Sequence, residues 1–250
     1  MKRATLIPLV LVPLAVTSFE APAQLFNDFE AATTGAEYSF RAPRFSGSTS
    51  GNLATTPNAM RVVEGFDANA SKVGAFDFAF VDDATTRWVR LTTFNAAGLP
   101  NPVLDLNQML QFDIFSLNDI RVAVGVREDA DVAGPVGANG GASGSIEWVG
   151  AERASASAGT APGGVLVTAG SWQTLTFNLK ADPTFAFTGN GVLAGDWGTL
   201  ESLAVSSMGT AAQTIYLDNF RMVPVPEPGT MALGLSAAVM SLIGLRRRVR

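Results

Sequence analysis

The chain has 250 residues, with 17 Lys and Arg against 22 Asp and Glu and neither a cysteine nor a histidine. Those two absences exclude a disulfide framework, thiolate nucleophiles, histidine-dependent triads and His-ligated zinc. Residues 24–225 carry 11 Lys and Arg against 20 Asp and Glu, a net charge of −9 that repels nucleic-acid phosphates and leaves no basic patch to attract them.

Residues 1–23 have the form of a secretory signal peptide. Lys2 and Arg3 make a positive start, Leu6 to Val16 is apolar apart from Pro8 and Pro13, and Ala21-Pro22-Ala23 is a small-x-small site. Cleavage there by signal peptidase leaves Gln24 as the first mature residue. The apolar run is too short to span a membrane comfortably.

Residues 24–223 read as one exported all-β domain. Period-two alternation recurs in short runs separated by Gly, Pro, Asn and Asp. Val73 to Val81 puts Phe76, Phe78 and Phe80 on one face; Leu110, Phe112 and Ile114 alternate with Gln111 and Asp113; Ile120, Val122, Val124 and Val126 alternate with Arg121, Ala123, Gly125 and Arg127. In Trp172 to Leu179, Leu175, Phe177 and Leu179 face one way. Ala59 to Glu64, Arg87 to Phe94, Ser145 to Val149, Leu200 to Ser206 and Thr214 to Val223 bring the expectation to nine or ten strands. No segment carries a capped helical stripe. Strands with one apolar face each bury it by stacking two sheets, so the fold class is an antiparallel, jelly-roll-like β-sandwich. The Gly-, Ala- and Ser-rich stretch Ala130 to Gly164 reads as long surface loops around one strand.

The run Phe26-Asn27-Asp28-Phe29-Glu30, several strands, and the closing Tyr216-Leu217-Asp218-Asn219-Phe220 together resemble galactose-binding-like carbohydrate-binding modules. The resemblance implies a jelly roll and a structural calcium between Glu30 and Asp218, with backbone carbonyls completing an oxygen shell. It also implies polysaccharide as a partner, held by exposed aromatic rings. Trp148 and Trp197 lie beside glycine-rich segments and are the candidate sugar-binding rings. Trp88 and Trp172 begin alternating strands and are expected in the core.

Paired carboxylates are the one acid-base chemistry this composition favours, and a surface glycoside hydrolase is the alternative function. Glu147 beside Trp148, Glu152, and the group Glu128, Asp129 and Asp131 are the candidates. Their spacing singles out no pair, and the acidic cluster lacks the glycine and terminal Glu of an EF-hand. The expectation is therefore a chain that is not an enzyme.

Residues 224–250 have three parts: Pro226-Glu227-Pro228, an uncharged run at 229–245, and an end bearing Arg246, Arg247, Arg248 and Arg250. At about 1.5 Å per residue the run approaches the thickness of a bilayer core of about 30 Å, and the arginines hold its far end in the cytoplasm. This tail resembles the PEP-CTERM sorting domain of Gram-negative surface proteins. The resemblance implies a transmembrane helix, an exosortase as partner, processing near the tripeptide, and a destination at the cell surface or in the extracellular matrix. Two prolines keep the tripeptide extended, a form an enzyme can grip.

Overall fold

The computed structural model describes residues 22–67, 69–82, 86–96, 98–128, 132–155 and 159–226. Ala21, Glu227, Pro228, the run at 229–245 and the four terminal arginines lie outside those residues, as do Asp129 and Asp131. Ala23, Gln24 and Pro226 are exposed.

Among the described residues there are thirteen strands: β1 Gln24–Asn27, β2 Leu53–Phe66, β3 Asn69–Phe80, β4 Trp88–Thr92, β5 Val103–Asp105, β6 Met109–Ser116, β7 Ile120–Glu128, β8 Ser145–Val149, β9 Val165–Val167, β10 Gln173–Asn178, β11 Thr184–Ala186, β12 Trp197–Ser207 and β13 Gln213–Val223. Two short 3-10 turns, Pro43–Phe45 and Ser50–Asn52, precede β2. The first sheet runs β10-β6-β13-β3-β2 with β1 beside β13; the second runs β11-β8-β7-β12-β4 with β5 beside β12 and β9 beside β7. Every strand pair is antiparallel. This is the expected all-β sandwich. The four strands that the alternation did not reveal, β1, β5, β9 and β11, have three or four residues each, too few for a period to show.

Alternation decides the core. Phe76, Phe78, Phe112, Ile114, Leu175, Phe177, Ile215, Leu217 and Phe220 from the first sheet meet Val89, Leu91, Val122, Val124, Val126, Leu203 and Val205 from the second. Phe112 stacks on Phe220 at 4.8 Å and on Phe177 at 5.9 Å. Each such side chain contributes roughly 1.5–3 kcal/mol by leaving water. Without disulfides, this burial is the main stabilising term. The unit Pro22–Val225 holds this whole core within itself, the property of a domain that folds alone.

The second sheet is buried on its other face too. The alternate residues Trp88, Ala123, Trp148 and Ala204 form a smaller cluster with Ala151, against which Ala161, Phe185 and Phe187 pack. The chain after β8 thus covers this sheet: Trp88 Nε1 donates to the Gly159 carbonyl at 2.7 Å. Part of the stretch expected as surface loop is therefore a packed cover. On the same strands Glu201, 6% exposed, receives Arg90 at 2.9 Å and Arg127 at 3.1 Å. Burial pushes the Arg90 guanidinium down from its ordinary range while Glu201 pulls it back up.

Candidate functional site

The outer face of the first sheet is built by the residues that alternate with the core. Strand register lines them up in rows. Thr176 of β10, Gln111 of β6 and Arg221 of β13 share one row; Thr174, Asp113 and Asp218 share the next; Phe115 and Tyr216 share the third. Trp172, two residues before Thr174, continues that third row: its ring meets Phe115 at 5.9 Å, and Phe115 meets Tyr216 at 6.1 Å. From the β2–β3 hairpin Phe66 lies flat on Tyr216 at 3.6 Å and edge-on to Phe115 at 4.9 Å. Trp172 Nε1 donates to the Phe66 carbonyl at 3.4 Å, joining the two ends of the aromatic row.

A bulge sharpens the middle row. Between Asp218 and Arg221 the register against β6 slips, and Asn219 sits there at φ 53°. That left-handed conformation suits Asn better than most residues, and one extra residue on a strand re-aims its side chain. Asn219 Nδ2 donates to Asp113 Oδ2 at 2.9 Å and to Asp218 Oδ2 at 3.2 Å, bridging the carboxylates of two directly opposed residues. Asp113 also accepts from Thr174 Oγ1 at 2.6 Å and faces Arg221 Nη1 at 3.6 Å. Asn69, Asp113, Trp172, Gln173, Thr174 and Asn219 line an open cavity of about 360 Å³, within the range of small-ligand sites.

Asp218 lies under this floor, fully buried. It accepts from Asn69 Nδ2 at 2.8 Å, Ser71 Oγ at 2.9 Å and the Asn219 amide nitrogen at 2.8 Å, as well as from the Asn219 side chain. Burial pushes its carboxyl above the ordinary range, Asp113 adds to that, and the donors offset part of it.

These contacts correct the calcium expectation. Glu30 is exposed and accepts from the Lys72 backbone nitrogen at 2.8 Å, whereas Asp218 is buried and already accepts from four N–H and O–H donors, three of them on Oδ2. No group of three or more carboxylates gathers among the described residues. The pair therefore does not fit a calcium site.

Two of the four tryptophan expectations, those for Trp148 and Trp172, reverse. Trp148 is fully buried, T-shaped against Trp88 at 5.9 Å and beside Phe187 at 5.2 Å, so its ring cannot meet a sugar. Trp197 is half-buried at the start of β12 with Gly134 close to its ring, and it is not among the residues lining the groove. Trp172, expected in the core, is the half-buried ring at the groove. Trp88 is in the interior as expected, within the smaller cluster.

Two of the candidate acids, Glu147 and Glu128, serve the backbone. Glu147, fully buried, accepts from the Asn190 and Gly191 nitrogens at 2.8 and 2.9 Å. Glu128 accepts from Ala194 and Gly195 at 2.7 and 2.6 Å. Glu152 is exposed and pairs with Arg121 and Arg153. Among the described residues Asp113 and Asp218 are directly opposed carboxylates, a pairing that their separation in sequence does not suggest. Asp218 is held by four donor contacts and sealed beneath Asn219, an arrangement suited to fixing the floor of a site rather than to passing a proton to a leaving group.

No family model matches this sequence, and no curated protein matches it. In fold the chain is similar to an exo-β-agarase at 14% identity, with a TM-score of 0.44 over 82% of this chain and 25% of that one. The chain thus spans about a quarter of the agarase's length. It is also similar to a family 28 carbohydrate-binding module specific for non-crystalline cellulose, at 15% identity and a TM-score of 0.43 over 87% of this chain and 99% of that one. A family 30 module from a cellulosomal cellulase of Clostridium thermocellum matches at 14% identity, with a TM-score of 0.41 over 83% of this chain and 100% of that one.

Proposed function

We propose that this is an exported surface or matrix protein whose β-sandwich holds a polysaccharide on the outer face of the first sheet. The observation that carries the binding role is the half-buried Trp172 ring at the groove, braced from behind by buried Phe115 with Tyr216 and Phe66, beside a polar row of Thr174, Asp113 and Asn219. Pyranose rings have an apolar face that stacks on aromatics and a rim of hydroxyls that needs fixed donors and acceptors. An open groove across antiparallel strands admits a chain passing through as well as a chain end. The sorting half rests on the tail: the tripeptide Pro226-Glu227-Pro228, the uncharged run and the arginine cluster are the features by which an exosortase would recognise and process the chain.

The binding role is tested with residues 22–225 against a panel of polysaccharides in affinity electrophoresis. Retardation by at least one glycan is expected, and Trp172→Ala should weaken it about fivefold or more, the loss of one aromatic contact of about 1 kcal/mol. A wild-type domain retarded by no glycan, or a Trp172→Ala domain retarded as strongly as wild type, removes the groove from consideration.

A further inference from the structure

Taking the groove as a glycan site, the charge on its walls says which glycans it prefers. We propose that it selects chains carrying free amino groups, with an ammonium seated between the Asp113 carboxylate and the face of Trp172. Both residues line the same open cavity. An aromatic face attracts a cation through its quadrupole, and a carboxylate at the same wall supplies the full negative charge. Asp113 keeps acceptor capacity for this: Thr174 and Asn219 supply one hydrogen bond to each oxygen, and an ionised carboxylate has about four acceptor positions.

The remaining charges leave that preference standing. Arg221 is the one cation in the three rows against two carboxyls, Asp113 and Asp218, so its pairing with Asp113 offsets only one of the two. It lies 3.6 Å from Asp113, donates from Nε to Gln111 Oε1 at 3.1 Å and from Nη1 to the Asn219 carbonyl at 3.0 Å. Asp218 adds a second carboxyl beneath the floor. Farther along the same face Arg61 and Asp77 form an ion pair and cancel. An acidic sugar would therefore bring its carboxylate against Asp113 with no free cation to receive it, and like-charge juxtaposition is costly. A neutral sugar would use the same acceptors through hydroxyls, without the charge term.

The test is calorimetry of residues 22–225 with glucosamine oligosaccharides and N-acetylated oligosaccharides of equal length, buffered below the amine pKa so that the amine is protonated. The amine form should bind about tenfold more tightly. Asp113→Asn should bring the ratio close to one, and so should Trp172→Leu, which keeps apolar volume and removes the ring face. The second variant covers the case in which Asp113→Asn does not fold. Equal or tighter binding of the N-acetylated form overturns the amine preference, as does a tenfold ratio that survives both substitutions, which would assign it to the acidic surface at large. Binding of a neutral polysaccharide with none of either oligosaccharide also overturns it and leaves the groove as a glycan site. Failure to bind any glycan overturns both readings.

Discussion

Asp218 shows how a single side chain organises the groove floor. Its carboxylate collects donors from β3 and from its own strand, so the hairpin that carries Phe66 is tied to the strand that carries Tyr216. The cost is a buried charge, visible as a carboxyl pushed above its ordinary range by desolvation first and by Asp113 second. An acid whose folded pKa is raised binds its proton more tightly in the native state. The stabilisation this gives is complete below the unfolded Asp pKa of about 3.9 and is lost as pH rises through the higher folded value. Asp218→Asn removes that titration. The stability of wild type relative to Asp218→Asn should therefore fall as pH rises from about 3.9 through the folded pKa of Asp218, measured by urea unfolding at a series of pH values. A difference that grows over that interval would mean that the donors, rather than burial, set the carboxyl's state.

At the scale of elements, the bulge in β13 is the device that turns a plain strand into a site. Asn219 at φ 53° places an amide between two carboxylates that the register sets opposite each other. Backbone and side chain can be tested separately. Asn219→Gly keeps the left-handed conformation and should change stability by less than Asn219→Val, which forces a β-branched residue into it at about 1–3 kcal/mol; both should weaken glycan binding by removing the bridging amide. Equal stability of the two variants in thermal melts would show that the bulge relaxes when Asn is replaced. Much of this architecture could be read along the chain. Alternation correctly sent Phe76, Phe112, Phe177 and Val124 inward, and by the same token sent Asp113 and Thr174 outward. It could not supply the register that sets Asn219 against Asp113, 106 residues away, or Asn69 against Asp218, 149 residues away. Two tryptophans depend on the same register: glycine-rich sequence neighbours suggest an exposed Trp148, whereas the glycine set opposite it across the ladder, Gly125, marks close approach. A Cβ on Gly125 would fall 2.8 Å from the Trp148 ring, and one on Gly164 would fall 2.2 Å from the Val122 carbonyl oxygen. Trp172 shares the parity of Thr174 and Thr176 rather than of Leu175 and Phe177, so it falls on the outer face even though its size suggests the core.

For the molecule as a whole, the β-sandwich is stabilised by apolar burial and by hydrogen-bonded carboxylates, with no cysteine to oxidise. Its thermal midpoint should accordingly be unchanged by a chelator such as EDTA; a fall on chelation that calcium restores would show a cation bound outside the Glu30 and Asp218 pair. Because the core lies wholly within Pro22–Val225, folding and sorting should separate cleanly by mutation. Glu227→Ala changes one charge in a tripeptide that follows Pro22–Val225 in sequence, so the domain should be exported and bind glycan as before. If an exosortase reads the tripeptide, the variant should keep its C-terminal tail in the membrane fraction, and intact mass spectrometry should find it heavier than the processed wild-type protein by that tail. Identical masses for wild type and variant would separate the tripeptide from processing, and would leave the uncharged run and its arginines as a plain membrane anchor.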